Sequence, residues 1–151
     1  RQRQMCIRDR SMIAAGRAVR ESGIFLSVTV LLGIAGSEHS LPHAAATASV
    51  LNAMQPNQVA VLTLMILENT PLAGRIEAGT FHLPGREALF IELRTLLEHL
   101  DLHRSQFQAN HASNYFILDG RLPRDKKKFL SLIKDALSGK VNLKLEHCRA
   151  L

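Results

Sequence analysis

Two apolar runs constrain this chain more than any other feature: residues 24–32 (IFLSVTVLL) and 58–66 (QVAVLTLMI). Both are far shorter than the roughly 20 apolar residues a membrane-spanning helix needs. Both are rich in β-branched side chains, and each is followed by a Gly-rich or polar loop. A continuous apolar run of this length predicts a strand buried on both faces, the kind from which parallel sheets are built. Between the runs, residues 41–54 predict a helix with Ala44, Ala48 and Leu51 on one stripe. Ser37 and Ser40 are its possible N-caps, and Pro42 falls near its first turn.

The rest of the chain continues the alternation. Residues 11–22 predict an amphipathic helix with Met12, Ile13, Ala15 and Val19 on one side, stopped by Gly23. A short helical turn is expected over 72–78. The strongest helical pattern then follows Pro84-Gly85, where Leu89, Leu93, Leu96 and Leu100 recur at helical spacing; Arg86, Glu92, Arg94 and Glu98 are expected to face out. Residues 105–109 predict a weak third strand, and 122–137 a last helix with Phe129, Leu130, Ile133 and Leu137 inward. The tail from Lys140 has little pattern. The order helix, strand, helix, strand, helix, strand, helix predicts an α/β fold of parallel strands joined by right-handed crossovers. In such folds the loops after the strands share the C-terminal rim, where sites are placed. Chemistry is therefore expected in residues 33–40, 67–72 and 110–115.

Charge and cysteine content exclude several classes of function. The net charge is +6, but Arg1, Arg3, Arg8 and Arg10 against Asp9 contribute half of it, so net charge does not argue for a polyanion partner. Residues 5–10 (MCIRDR) resemble the translation of a transposase adapter end used in sequencing libraries; the alternative is a basic helical lead-in to the first helix. Residues 1–10 are thus expected to be a non-native segment. The two cysteines, Cys6 and Cys148, lie near opposite ends and form no CxxC pair; a disulfide framework is not expected, and a cysteine-only metal site is excluded by count. No signal peptide is evident, and a cytoplasmic location without membrane contact is expected. His39 and His43 read as helix-start residues, and His82, His99, His103 and His147 have no metal-ligand spacing, so no metal site is expected in this chain. Lys126, Lys127 and Lys128, with Arg121, Arg124 and Lys134, make a basic helix face. Without interleaved aromatics that face predicts a solvated surface in preference to an RNA or phosphate contact.

The candidate sites lie in the three loops. Gly33 and Gly36 allow close approach of a ligand to the backbone, or simply make a tight strand-to-helix turn. Residues 63–72 (TLMILENTPL) resemble the end of the sixth barrel strand in radical S-adenosylmethionine enzymes, which often carry Pro-Gly-Thr-Pro-Leu there. Thr70, Pro71 and Leu72 match, while Glu68-Asn69 stand in place of Pro-Gly; Asn tolerates the left-handed backbone such a turn needs. Residues 32–38 (LGIAGSE) resemble the fifth strand of the same family, with Gly33, Ile34 and Gly36 in place and Glu38 one residue closer than usual. Residues 110–115 (NHASNY) are similar to a segment following the barrel in one bacterial subgroup of these enzymes. The resemblance spans residues 11–147.

It implies the C-terminal half of a partial TIM-like barrel over residues 11–103 and a helical C-terminal extension over 104–151. The cofactors implied are S-adenosylmethionine and a [4Fe-4S] cluster, the cluster being held by three cysteines in an upstream half that this chain lacks. Reductive cleavage of the cofactor would start radical chemistry on an unknown substrate, and this chain alone would be inactive. Cofactor contacts are implied for Gly33, Ile34, Gly36, Glu38, Thr63, Leu67, Asn69, Thr70 and Pro71. Ile34 and residues 63–67 would form an apolar adenine slot edged by Asn69 and Thr70. Substrate contacts are implied for Asn110, His111 and Asn114, although a loop His beside Asn also reads as a structural hydrogen-bonding residue. The competing reading is a small α/β binding module that uses the basic C-terminal helix on RNA or another partner. A hydrolase is disfavoured because no Ser/His/Asp or metal constellation is present.

Overall fold

The computed structural model describes residues 2–145 and 149, with side chains from residue 9. The Cys6 side chain, His147 and Cys148 lie outside what it describes. The elements are α1 (Gln2–Glu21), β1 (Ser27–Leu32), α2 (Gly36–Met54), β2 (Gln58–Thr63), α3 (Pro71–Glu77), α4 (Arg86–His99), β3 (Ser105–Ala109), β4 (Leu118–Leu122) and α5 (Lys126–Leu137). The helix expected from residue 11 starts earlier, because α1 runs continuously through residues 2–10.

The four strands form one open sheet in the order β1-β2-β3-β4. The first three are parallel, as expected, with Val28 opposite Val59 and Val59 opposite Phe107. β4 returns antiparallel to β3, with Phe107 opposite Gly120. β3 and β4, within the stretch read as a C-terminal extension, are thus hydrogen-bonded into the same sheet as β1 and β2.

Sequence reasoning missed β4 entirely and placed Leu122 in a helix. The segment LDGRL has apolar residues only at its two ends, and Gly120 and Pro123 resemble turn signals. Leu118 and Leu122 are both buried, because in period 2 they point to the same covered face. α5 begins only at Lys126.

That covered face explains a second departure. Val30, Leu32, Val59, Val61, Phe107, Leu118 and Leu122 join Ala44, Ala48 and Leu51 of α2, the leucines of α4, and Phe129 and Ile133 of α5 in one core. The helices pack as neighbours in the order α1, α2, α4, α5. All of that packing lies on one side of the sheet. On the other side Ser27 and Thr29 are exposed, and Leu31, Ala60 and Leu62 are only half-buried. The expectation of strands buried on both faces is therefore corrected. The run 24–32 also overstates β1, since Ile24 and Phe25 precede the strand and are exposed. The centre of the core is the Phe107–Phe129 pair, with ring centroids 5.6 Å apart. Burying each ring contributes about 1.5–3 kcal/mol, which makes this contact the anchor of α5 on the sheet.

Glu92 is the third correction. Expected to face out, it has no exposed surface. It sits three residues after Leu89 and four before Leu96, which places it on the buried stripe of α4.

Candidate functional site

The C-terminal ends of β1, β2 and β3 lie on one rim, as parallel strands require, and their loops meet there. After β1, Gly33 and Gly36 adopt φ of 84° and 73°. A Cβ on Gly33 would lie 3.2 Å from Leu89 Cδ2, 3.6 Å from Pro84 Cδ and 3.7 Å from Leu64 Cβ. After β2 the chain leaves the sheet at Thr63, not at Ile66, and residues 64–67 cross the rim as irregular backbone. Asn69 takes φ of 61°, the left-handed geometry expected of it. Thr70 then caps α3: its Oγ1 accepts from Ala73 N–H at 3.2 Å and its hydroxyl donates to Leu67 O at 2.9 Å. Pro71 follows at the first helical position, where its missing N–H costs nothing.

These loops enclose a cleft of about 230 Å³ lined by Gly33, Leu64, Met65, Ile66, Pro84 and Tyr115, among others. Small-ligand pockets run from about 300 Å³ upward, so the cleft accommodates part of a ligand and not a whole one. Its walls are mostly aliphatic and aromatic, with Arg149 as the charged residue among them.

The implied cofactor residues divide among several places. Gly33 and the segment just after Thr63 meet in the cleft. Thr63 itself is buried beneath it, its side chain facing Asn114. Ile34 turns away into a groove of about 360 Å³ along the free edge of β1, with Met12, Val28, Val50 and Met54. Gly36 and Glu38 border a third hollow with His39, Arg75 and His82. Leu67 is exposed. Asn69 lines a shallow depression beside Ile66, Ala73 and Ile76. Ile34 therefore shares no pocket with residues 63–67, whereas Gly33 shares one with residues 64–66.

Two of the three implied substrate residues, His111 and Asn114, have structural partners. Asn110 is exposed at the start of its loop. His111 Nδ1 accepts from the Ser113 N–H at 3.2 Å and lies 2.9 Å from its hydroxyl. Ser113 Oγ accepts from Thr63 N–H at 3.1 Å. Asn114 is buried; its Nδ2 donates to Val61 O at 2.8 Å and its Oδ1 accepts from the Thr63 hydroxyl at 2.9 Å. The loop is therefore stapled across the end of β2. Tyr115 and Phe116 then pack edge-on against Phe90 of α4. Arg149 returns from the tail to this loop, donating to Ser113 O and to the Tyr115 hydroxyl, both at 2.7 Å, with its guanidinium 4.1 Å over the Tyr115 ring.

Two polar groups escaped sequence reasoning. Arg149 gave no signal, since the tail has no periodicity. Glu92 did give one, its place on the leucine stripe. Both of its oxygens accept from the Gly33 N–H, at 3.1 and 3.2 Å, and Oε2 accepts from the Ser40 hydroxyl at 2.6 Å. His43 Nδ1 lies 3.6 Å from Oε1. Ser40 and His43 each approach the carboxylate separately, so this is not a Ser-His-acid relay.

The basic helix face is partly committed to structure. Lys126 Nζ donates to Glu98 O and Leu100 O at the C-terminal end of α4, at 3.0 and 2.7 Å. Arg124 donates twice to Asp125, at 3.0 and 2.8 Å. These bonds, followed by the Arg121 N–H, hold the Asp125 carboxyl down at about 2. Lys127 and Lys128 remain exposed. Among the described residues no group of His, Cys, Asp and Glu is placed to hold a metal, and no helix is long and apolar enough to cross a membrane. Comparison with protein families, curated proteins and solved structures returns no match to this chain.

Proposed function

We propose that this chain forms the trailing wall of a radical S-adenosylmethionine enzyme's partial TIM-like barrel and supplies one side of its cofactor and substrate cavity. The observation that carries the reading is the meeting of Gly33 with residues 64–66 in one mainly apolar cleft on the C-terminal rim of parallel strands, with Arg149 at its border. The helix layer on a single sheet face supports it, because a barrel wall is covered outside only, whereas a doubly wound sheet is covered on both faces. The free edge of β1 is then where the rest of the barrel joins.

The cleft fits the adenosyl part of the cofactor. A side chain on Gly33 would project among Leu89, Pro84 and Leu64, so glycine keeps that wall open. Adenine buries its faces against aliphatic side chains, here Leu64, Met65 and Ile66, and takes its orientation from nearby backbone groups. The cluster does not fit this chain, whose two cysteines fall short of the three thiolates required. In the intact enzyme the bound cofactor and cluster supply the radical. The residues of this chain position the nucleoside and exclude water.

The test is the reading frame extended upstream. It is expected to encode a three-cysteine CxxxCxxC loop, and its reconstituted product to convert S-adenosylmethionine to 5′-deoxyadenosine and methionine under reduction. This chain alone is expected to take up no stoichiometric iron or sulfide. An extended frame without the loop, or one cluster held per copy of this chain, refutes the reading.

A further inference from the structure

The buried carboxylate of Glu92 lies outside the contacts that define the rim cleft, yet it is bonded to the turn that forms one wall of it. Three facts set its role. First, it is completely buried, and among the described residues it has no lysine or arginine partner; the nearest titratable nitrogen is His43 Nδ1, 3.6 Å away. Leaving a carboxylate in such a place is costly, and an apolar side chain of similar volume would pack there at least as well. Its presence therefore calls for a geometric reason. Second, its acceptors are spent on the β1–α2 turn and the start of α2, 59 and 52 residues away in sequence: the Gly33 N–H on both oxygens and the Ser40 hydroxyl on one. Third, Gly33 has the backbone that favours glycine, φ of 84°, and approaches Leu89 one turn earlier on the same helix. The carboxylate thus fixes the plane of the Leu32–Gly33 peptide against α4 while Gly33 and Leu89 face the cleft.

We propose that Glu92 is a positioning residue for the rim cleft, acting through the Gly33 N–H to set the wall against which the ligand lies. Only the identity of that ligand rests on the reading given under Proposed function.

The test compares the wild-type chain with Glu92→Gln and Glu92→Leu, followed by NMR amide exchange, methyl shifts of the cleft and titration with S-adenosylmethionine. Glu92→Gln keeps the volume and one acceptor oxygen. It is expected to move the Gly33 amide resonance and to leave exchange at Gly33 to Gly36 within about threefold of wild type. Glu92→Leu is expected to speed that exchange at least tenfold and to shift the Leu64 and Ile66 methyls, while Val59 and Val61 exchange as before. Where the wild-type chain binds S-adenosylmethionine, Glu92→Leu is expected to weaken binding at least tenfold and Glu92→Gln less than threefold. The exchange and shift pattern described supports the positioning role whether or not this chain alone binds S-adenosylmethionine, since its cleft of about 230 Å³ holds only part of that ligand. Unchanged turn exchange and cleft shifts in Glu92→Leu, or uniform loosening of the whole domain, overturns the positioning role. Should Glu92→Leu not fold, an unmoved Gly33 amide in Glu92→Gln overturns it equally.

Discussion

Asn114 separates a structural from a substrate-binding account of the 110–117 loop, and its replacement has a calculable cost. In Asn114→Ala two buried bonds disappear, to Val61 O at 2.8 Å and from the Thr63 hydroxyl at 2.9 Å. Each net bond is worth about 1 kcal/mol, and a buried polar group left without a partner costs about 1–3 kcal/mol, so the loss is about 2–4 kcal/mol. Thr63→Val removes only the hydroxyl donor and leaves Asn114 Oδ1 unpaired, a loss of about 1–2 kcal/mol. Because the two variants share one bond, the double variant is expected to fall short of the sum by about 1 kcal/mol. Equilibrium urea unfolding measures all three. With a slope of about 1–3 kcal/mol/M, Asn114→Ala shifts the midpoint by about 0.7–4 M. A loss below about 0.5 kcal/mol, or additivity within about 0.3 kcal/mol, would show that the Asn114 amide does not hold the loop to β2 and is available to a ligand.

Two further perturbations probe the β4–α5 corner. Gly120→Ala places a Cβ 2.5 Å from Asp125 Oδ2 and 2.9 Å from Phe129 Cζ, so it is expected to destabilise the chain by about 1–3 kcal/mol in the same unfolding assay. A neutral result would mean that the corner relaxes freely. Asp125, held near 2 by Arg124 and the Arg121 N–H, contributes stability that is present above its ordinary value of 3.8 and lost as pH falls through about 2. Asp125→Asn is therefore expected to be less stable than wild type at pH 7 and equal to it near pH 2, and carbon NMR of the wild-type carboxyl to show a midpoint near 2. A midpoint at 3.8 or above would sink this account.

The three parallel strands and their helices were legible because each carries its signal locally. The apolar runs mark β1 and β2, and the stripe of Leu89, Leu93 and Leu96 marks α4. The rim followed from the alternation alone. Within the loops, the tight turn at Gly33 and Gly36 and the left-handed Asn69 were also legible, since backbone preference is a property of the residue; the cap formed by Thr70 was not read. What could not be read was which loop residues meet. Ile34 follows Gly33 directly, yet the turn sends it to the far side of β1. β4 escaped because its two leucines are separated by Asp119, Gly120 and Arg121, a pattern that acquires meaning only once β3 offers an edge to pair with.

The misreadings of Glu92 and of the strand faces have one physical source. Polarity was taken to mean exposure, and apolarity to mean burial, residue by residue. In this fold the helix layer covers one sheet face only, so Leu31 and Leu62 are left half-buried on the other while Glu92 is drawn inside on the leucine stripe. The stripe position alone fixes burial; the residue type then says what the position is for. A leucine there would add to the core. A carboxylate must find donors, and those within reach are the Gly33 N–H of the β1–α2 turn and the Ser40 hydroxyl at the start of α2. Sequence position, burial and hydrogen bonding thus converge on the same turn from α4, and that turn is the one whose α-carbon borders the cleft. The rim is specified from beneath as well as by its own loops.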